Sequence, residues 1–406
     1  MITSNKGQVN GSMNRFGKGS VWPAEWKMTK DLITGIPMRQ LTDVLSHSFH
    51  LYFTNDGWYE GGRKLLFGSD RENAANLYSM DLTTGEITQL TAYKDARAAI
   101  QGTYVNPKRK AAYFGRDDLI IALNLETLEE QVIYETPARY SLGNISCTAD
   151  GKWLCAGIKE DLSDRIQASL GAGYIGFEET ARAKPHCQIL LIPAEGGEAK
   201  VLHEDNVWIG HVNASPTQPH IISFCHEGPW DLVDHRIWCL NIETGDRWKI
   251  RASADHVFVG HEYWHADGIR IGYHGYTESL SNKDGKFIGS VLYDNAEGEE
   301  FAFPFQNMHV HSNDSSLIAG DGQQTSAYHG EQLQDTICLW KKTGDRLEGP
   351  RILCRHRGSF QSQKIHVHPR FSPDGKQLLF TSDMSGYGNL YLVDVPEFET
   401  LPKQSL

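Results

Sequence analysis

A short grammar of turns and strands repeats along this chain, and it constrains the fold more than any other feature. Residues 370–395, RFSPDGKQLLFTSDMSGYGNLYLVDV, read as a turn at Ser372-Pro373-Asp374-Gly375, a strand, a second turn over 384–388 and an alternating strand. Related text recurs at 60–85 (EGGRKLLFGSDRENAANLYSMDLTTG), at 148–160 and at 234–245. The pieces GIRIGYHG with IGSVLYDNAEG, and SLIAGDG with DTICLWKKTG, follow the same order. Each unit supplies four short strands, one blade of a β-propeller. Equivalent anchors fall at Asn55, Gly102, Asn144, His211, His261, His309 and His368. Their spacings of 47, 42, 67, 50, 48 and 59 residues predict seven blades of roughly 40–50 residues each. The longest spacing holds an insertion, residues 161–184, expected to be partly helical or a loop over one face.

The predicted fold is therefore all-β: a single-domain, seven-bladed β-propeller over residues 31–400. A strand from within residues 31–53 is expected to complete the last blade and remove the open edge of the ring. Residues 1–30 are read as an N-terminal arm, polar and Gly-rich at its start. The 39 glycines suit many tight turns. The net charge of −12 disfavours sequence-independent binding to nucleic acid. No apolar run is long enough to span a bilayer, so no membrane partner is expected. Seven cysteines, an odd number without a C-x-x-C pair or a secretory signal, point to reduced thiols in the cytoplasm.

Function is written in the histidines. Two of the eighteen, His47 and His50, lie in the first 185 residues, and the other sixteen lie in the last 221. The anchor of blades four to seven is a histidine each time: His211, His261, His309 and His368. Equivalent positions on innermost strands converge around the propeller axis, so these imidazoles should crowd one arc of the channel rim. Period-2 alternation further predicts that His309 with His311, and His366 with His368, share a strand face. Crowded imidazoles bind divalent metals or move protons. Gln363, His366 and His368 lie within six residues, and with His309 they offer three nitrogens and an amide oxygen. That set suits Mn²⁺ or another divalent transition metal with open coordination positions, and it lacks the thiolates of a closed structural zinc site. His261, in VGHEYWHADG, lacks a neighbour of that kind and suits a general base. His211 and His226 are candidate substrate-binding residues. Arg236 closes a long loop that also carries Asp231 and Asp234; it could clamp a carboxylate or form a structural ion pair. Trp22, Trp26, Trp58, Trp208, Trp230 and Trp264 are candidates for a sugar-stacking platform. No G-x-S-x-G elbow or nucleotide-binding glycine loop is present.

The repeats resemble TolB-type propellers. Four motifs go further: F-C-H-E-G-P-W-D-L-V-D (224–234), G-H-E (260–262), M-H-V-H-S-N (308–313) and Q-K-I-H-V-H-P (363–369) together resemble the oligogalacturonate lyases, polysaccharide lyase family 22. That resemblance implies a manganese site made by Gln363, His366, His368 and either His309 or His311, with His261 as the base and Arg236 as the essential arginine. It implies β-elimination on short α-1,4-linked oligogalacturonides, yielding a 4,5-unsaturated uronate. The alternative is a non-catalytic TolB-like propeller binding a protein or glycan, which predicts dispersed rim histidines.

Overall fold

The computed structural model of the chain describes residues 17–95, 99–169, 174–251, 257–277, 285–303, 307–322 and 335–403. Seven antiparallel sheets follow one another in chain order. Blade 2 is typical: Ile100–Val105, Ala111–Arg116, Leu119–Asn124 and Glu130–Glu135 pair in sequence from the axis outward. The ring closes as expected and the closing strand is now defined. Pro37–Gln40 pairs with Asn389–Asp394 of blade 7, in the register Met38↔Val393 and Gln40↔Tyr391, and Lys27–Lys30 pairs outside it. Val21–Trp22 adds an outer strand to blade 1 against Ile87–Gln89.

The core lies between blades rather than along one axis. Each of seven apolar clusters joins neighbouring blades; one packs Leu379, Leu390 and Leu392 of blade 7 on Leu65, Phe67 and Tyr78 of blade 1. A blade has two apolar faces and each is covered by the next blade, so closure buries what an open end would leave wet.

One backbone device explains the repeating anchor. In blades 2 to 5 the innermost strand pair changes register at a bulge, between Gly210 and Asn213 in blade 4 and between Gly260 and Tyr263 in blade 5. In blades 2, 4 and 5 the anchor at the bulge takes left-handed backbone: φ is 58° at Gly102, 46° at His211 and 50° at His261; His368 in blade 7 has φ 43°. Glycine adopts this conformation freely. A histidine there carries strain of order 1–3 kcal/mol, which buys a re-aimed side chain. Three strained histidines at equivalent rim positions are the backbone signature of a site.

Candidate metal and catalytic site

A cavity of about 710 Å³ opens across blades 3 to 7 and is lined by His211, Arg236, His261, His309, Gln363 and His366, among others. Beneath the rings lies Phe53, fully buried, with its centroid 5.6–6.1 Å from those of His211, His261, His309 and His368. This apolar floor from blade 1 excludes water and fixes the spacing of four imidazoles from four other blades.

At one end, His309, His366 and His368 converge. Each offers a ligand nitrogen within 4.8 Å of the others, and the His309 and His368 centroids are 4.1 Å apart. Their outer supports are built in. Asp321, wholly buried, accepts the His309 backbone N–H at 2.8 Å, and its other oxygen lies 2.7 Å from His309 Nδ1. That pairing turns Nε2 of His309 toward the cluster. His50 Nε2 lies 2.8 Å from the His368 carbonyl and Nδ1 2.7 Å from Thr381 Oγ1, bracing the strained residue. Nδ1 of His366 and Nε2 of His368 are buried and have no hydrogen-bond partner among the described residues. Unpaired buried nitrogens are costly, and a cation they could share removes that cost, so the donor set fits a divalent metal. Burial, with His309 next, lowers the pKa of His366 to about 4 and that of His368 well below the usual imidazole value, keeping both in the neutral form that ligates. Gln363 begins a short 3₁₀ turn, Gln363–Ile365, that lifts its exposed side chain onto the same cavity wall.

The expected shared face of His309 and His311 is not found. His309 precedes the strand Val310–His311, so the alternation does not extend back to it. His311 turns into the core, 5.4 Å from the Tyr263 ring, and its Nδ1 accepts the Phe371 N–H at 3.3 Å. His309 is thus the one that joins the cluster.

Next to this cluster stands His261, whose centroid is 5.1 Å from that of His309. Its Nδ1 is 3.0 Å from Nε2 of His274, and the rings stack at 14°. His274 escaped the sequence reading because strand pairing, not spacing, brings it here: it lies opposite Gly260 in the antiparallel register. Burial, with His309 and His274 adding to it, holds His261 well below the usual imidazole pKa.

The far wall is a buried charge network. Arg236 Nε donates to Glu262 at 3.2 Å and its NH1 donates to Glu227 at 2.6 Å. Glu262, fully buried, also lies 2.7 Å from His211 Nδ1, and Tyr52 Oη is 3.2 Å from His211 Nε2. The partners of Arg236 are therefore Glu227 and Glu262, not the loop aspartates Asp231 and Asp234. His226, proposed from sequence to touch substrate, does not line the cavity; it pairs with Asp234 at 2.7 Å and packs on Trp238. Burial alone would raise the Glu262 pKa, but Arg236 and then His211 outweigh it and hold the carboxyl at about 2, down from 4.5. A depressed carboxyl contributes stability above its unfolded value, lost as pH falls through the folded one. Glu262→Gln is expected to cost about 3–5 kcal/mol, because it breaks a buried ion pair, and to flatten the stability loss between pH 4.5 and 2. Chemical denaturation as a function of pH measures both effects.

Of the six candidate tryptophans, Trp208 and Trp230 line the cavity, whereas Trp22, Trp26, Trp58 and Trp264 pack between blades. The insertion forms the helix Phe177–Arg182 and brings Phe177 and Tyr174 to the cavity wall; residues 170–173 lie outside the described residues.

A family model described as oligogalacturonate lyase matches residues 16–399. The chain belongs to the oligogalacturonate lyase family. It is 30% identical to the oligogalacturonide lyase of Pectobacterium atrosepticum and 30% identical to the oligogalacturonate lyase of Dickeya dadantii, in each case over 94% of this chain and 99% of the relative. A solved oligogalacturonate lyase in complex with manganese superposes with TM-score 0.83 at 29% identity, covering 94% of this chain and 99% of that one. The Vibrio parahaemolyticus oligogalacturonate lyase superposes at 0.81 with 28% identity over the same shares. Gathered rather than dispersed rim histidines agree with an enzyme of this family and not with a purely binding propeller.

The support of His309 gives a direct test at this oligogalacturonate lyase site. Asp321→Asn should weaken metal binding by about 10–100-fold, since the amide no longer fixes the His309 tautomer. Titration of the metal-stripped variant with Mn²⁺ by isothermal calorimetry measures it, and unchanged affinity would remove Asp321 from the site.

Proposed function

We propose that this chain cleaves short α-1,4-linked oligogalacturonides by β-elimination, with His309, Gln363, His366 and His368 holding a divalent transition metal, Mn²⁺ foremost. The observation that carries the reading is the convergence of three imidazoles, two with unpartnered buried nitrogens, beside a fourth that is not part of their cluster. When bound, the metal supplies Lewis-acid neutralisation of the uronate carboxylate, which makes the C5 proton more acidic.

The protein's own groups do the rest. His261, kept neutral by burial, takes the C5 proton through Nε2 while Nδ1 is held by His274. Arg236 lines the wall with its guanidinium fixed by two carboxylates, so it orders the leaving-group side as a positioned group that does not move. Trp208 and Trp230 offer apolar faces for sugar rings, and Phe53 keeps water from below.

The experiment is to incubate the chain with digalacturonate and with trigalacturonate, each with Mn²⁺, and follow the ultraviolet absorbance of the conjugated product. A rise that depends on metal is expected; no rise with either would reject the reading. The cytoplasmic assignment rests on seven buried cysteines, none of them in a disulfide. Among the described residues no helix is long and apolar enough to cross a membrane.

A further inference from the structure

The reaction needs a proton for the departing oxygen as well as a base for C5, and the base and the metal cluster do not supply it. We propose that His211, oriented by Glu262, is the general acid that protonates the leaving O4; this rests on the elimination reading above. Three observations carry it. The first is the hydrogen-bond arrangement: Glu262, wholly buried, is 2.7 Å from His211 Nδ1, so Nδ1 carries its proton toward the carboxylate and Nε2 is the working nitrogen. The carboxylate also compensates the positive charge when Nε2 carries a proton.

The second is backbone strain. His211 and His261 occupy the same bulge position of adjacent blades, with φ 46° and 50°, and both line the cavity. A ring in the core could have been placed from ordinary strand geometry; the strain aims this one at the cavity. Tyr52 Oη, 3.2 Å from Nε2, and Phe53, whose ring centroid is 6.1 Å away, hold its free edge in place.

The third is order around the rim. Blade 4 carries His211, blade 5 His261, and blades 6 and 7 the metal cluster. A galacturonate residue presents the leaving oxygen on C4, the acidic hydrogen on C5 and the carboxylate at C6, in that order along its carbons. A ring whose carboxylate lies at the cluster and whose C5 hydrogen meets His261 therefore has its C4 oxygen on the His211 side. His261 takes the C5 proton, the C5–H electron pair becomes the C4–C5 double bond, and the C4–O4 bond breaks with its pair going to oxygen. Nε2 of His211 gives its proton to that oxygen, leaving a neutral imidazole. Both histidines then exchange protons with solvent.

Leaving-group chemistry tests this. The probes are digalacturonate and a galacturonate bearing 2,4-dinitrophenoxy at C4, whose leaving group needs no proton. His211→Gln is expected to lower kcat on digalacturonate by about 10²–10⁴-fold and on the aryl ether by less than about tenfold, with metal content unchanged. Equal losses on both substrates, or no loss on either, would overturn the assignment. If the variant does not fold, a series of aryl ethers on the unaltered enzyme decides instead: a weak dependence of rate on leaving-group pKa supports the acid, and a steep one refutes it. Failure of the elimination reading looks different, because the unaltered enzyme would then release no unsaturated product from any probe.

Discussion

His261→Ala should lower kcat on digalacturonate by about 10²–10⁴-fold while the protein keeps its metal. The two halves of that expectation have separate causes. His261 stands at 5.1 Å from His309 by ring centroid but is not among the three residues whose ligand atoms cluster, so its removal leaves the donor set whole. Its Nδ1 is paired with His274, which leaves Nε2 as the nitrogen for substrate. Burial and three neighbouring imidazoles, those of His309, His274 and His211, lower its pKa. A base must be neutral to act and is lost as pH falls through its own pKa. The acidic limb of kcat/KM should therefore lie below the ordinary imidazole value of 6.5. Steady-state rates across pH, with metal content by atomic emission, test both halves. A variant that lost metal along with activity would make His261 a ligand instead.

The converse is expected of His368→Ala: metal and activity fall together. The His368 ring lies 4.1 Å from that of His309 and 5.5 Å from that of His366, and its ligand nitrogen is one of the three that converge. Lewis-acid stabilisation is worth several kcal/mol, about 10³-fold or more in rate. High Mn²⁺ should restore little of it. Full activity with normal metal content would exclude His368 from the cluster. Alanine at this position also relieves the φ of 43° only in part, so thermal unfolding should shift little on that account.

The legibility of this protein in its sequence follows the range of the interactions involved. Blade turns such as Ser372-Pro373-Asp374-Gly375 are local chemistry and repeat, which is why the ring and its seven units could be counted. The histidine anchors were visible because equivalent positions recur from blade to blade, at a bulge in blades 2 to 5, and their occupants show as a column of Gly, Asn or His. What strand pairing decides was not visible. His274 reaches the site across the register opposite Gly260, and Asp321 reaches His309 from just past the end of the strand Leu317–Gly320. Phe53, from blade 1, lies under rings contributed by blades 4 to 7. The loop aspartates looked like partners for Arg236 because they are near in sequence; Glu262, 26 residues away, holds it instead. His311 shows the opposite failure, an alternation rule extended one residue beyond the strand that obeys it.

A second group, His211, Cys225 and Glu262, also gathers ligand atoms within 4.8 Å, but the Arg236 guanidinium already supplies the cation there. Anomalous diffraction from crystals grown with Mn²⁺ separates the two directly. One peak at bonding distance from His309, His366 and His368, with Gln363 turned toward it, is the predicted result. A peak at His211, Cys225 and Glu262, or none in the cavity, would contradict it.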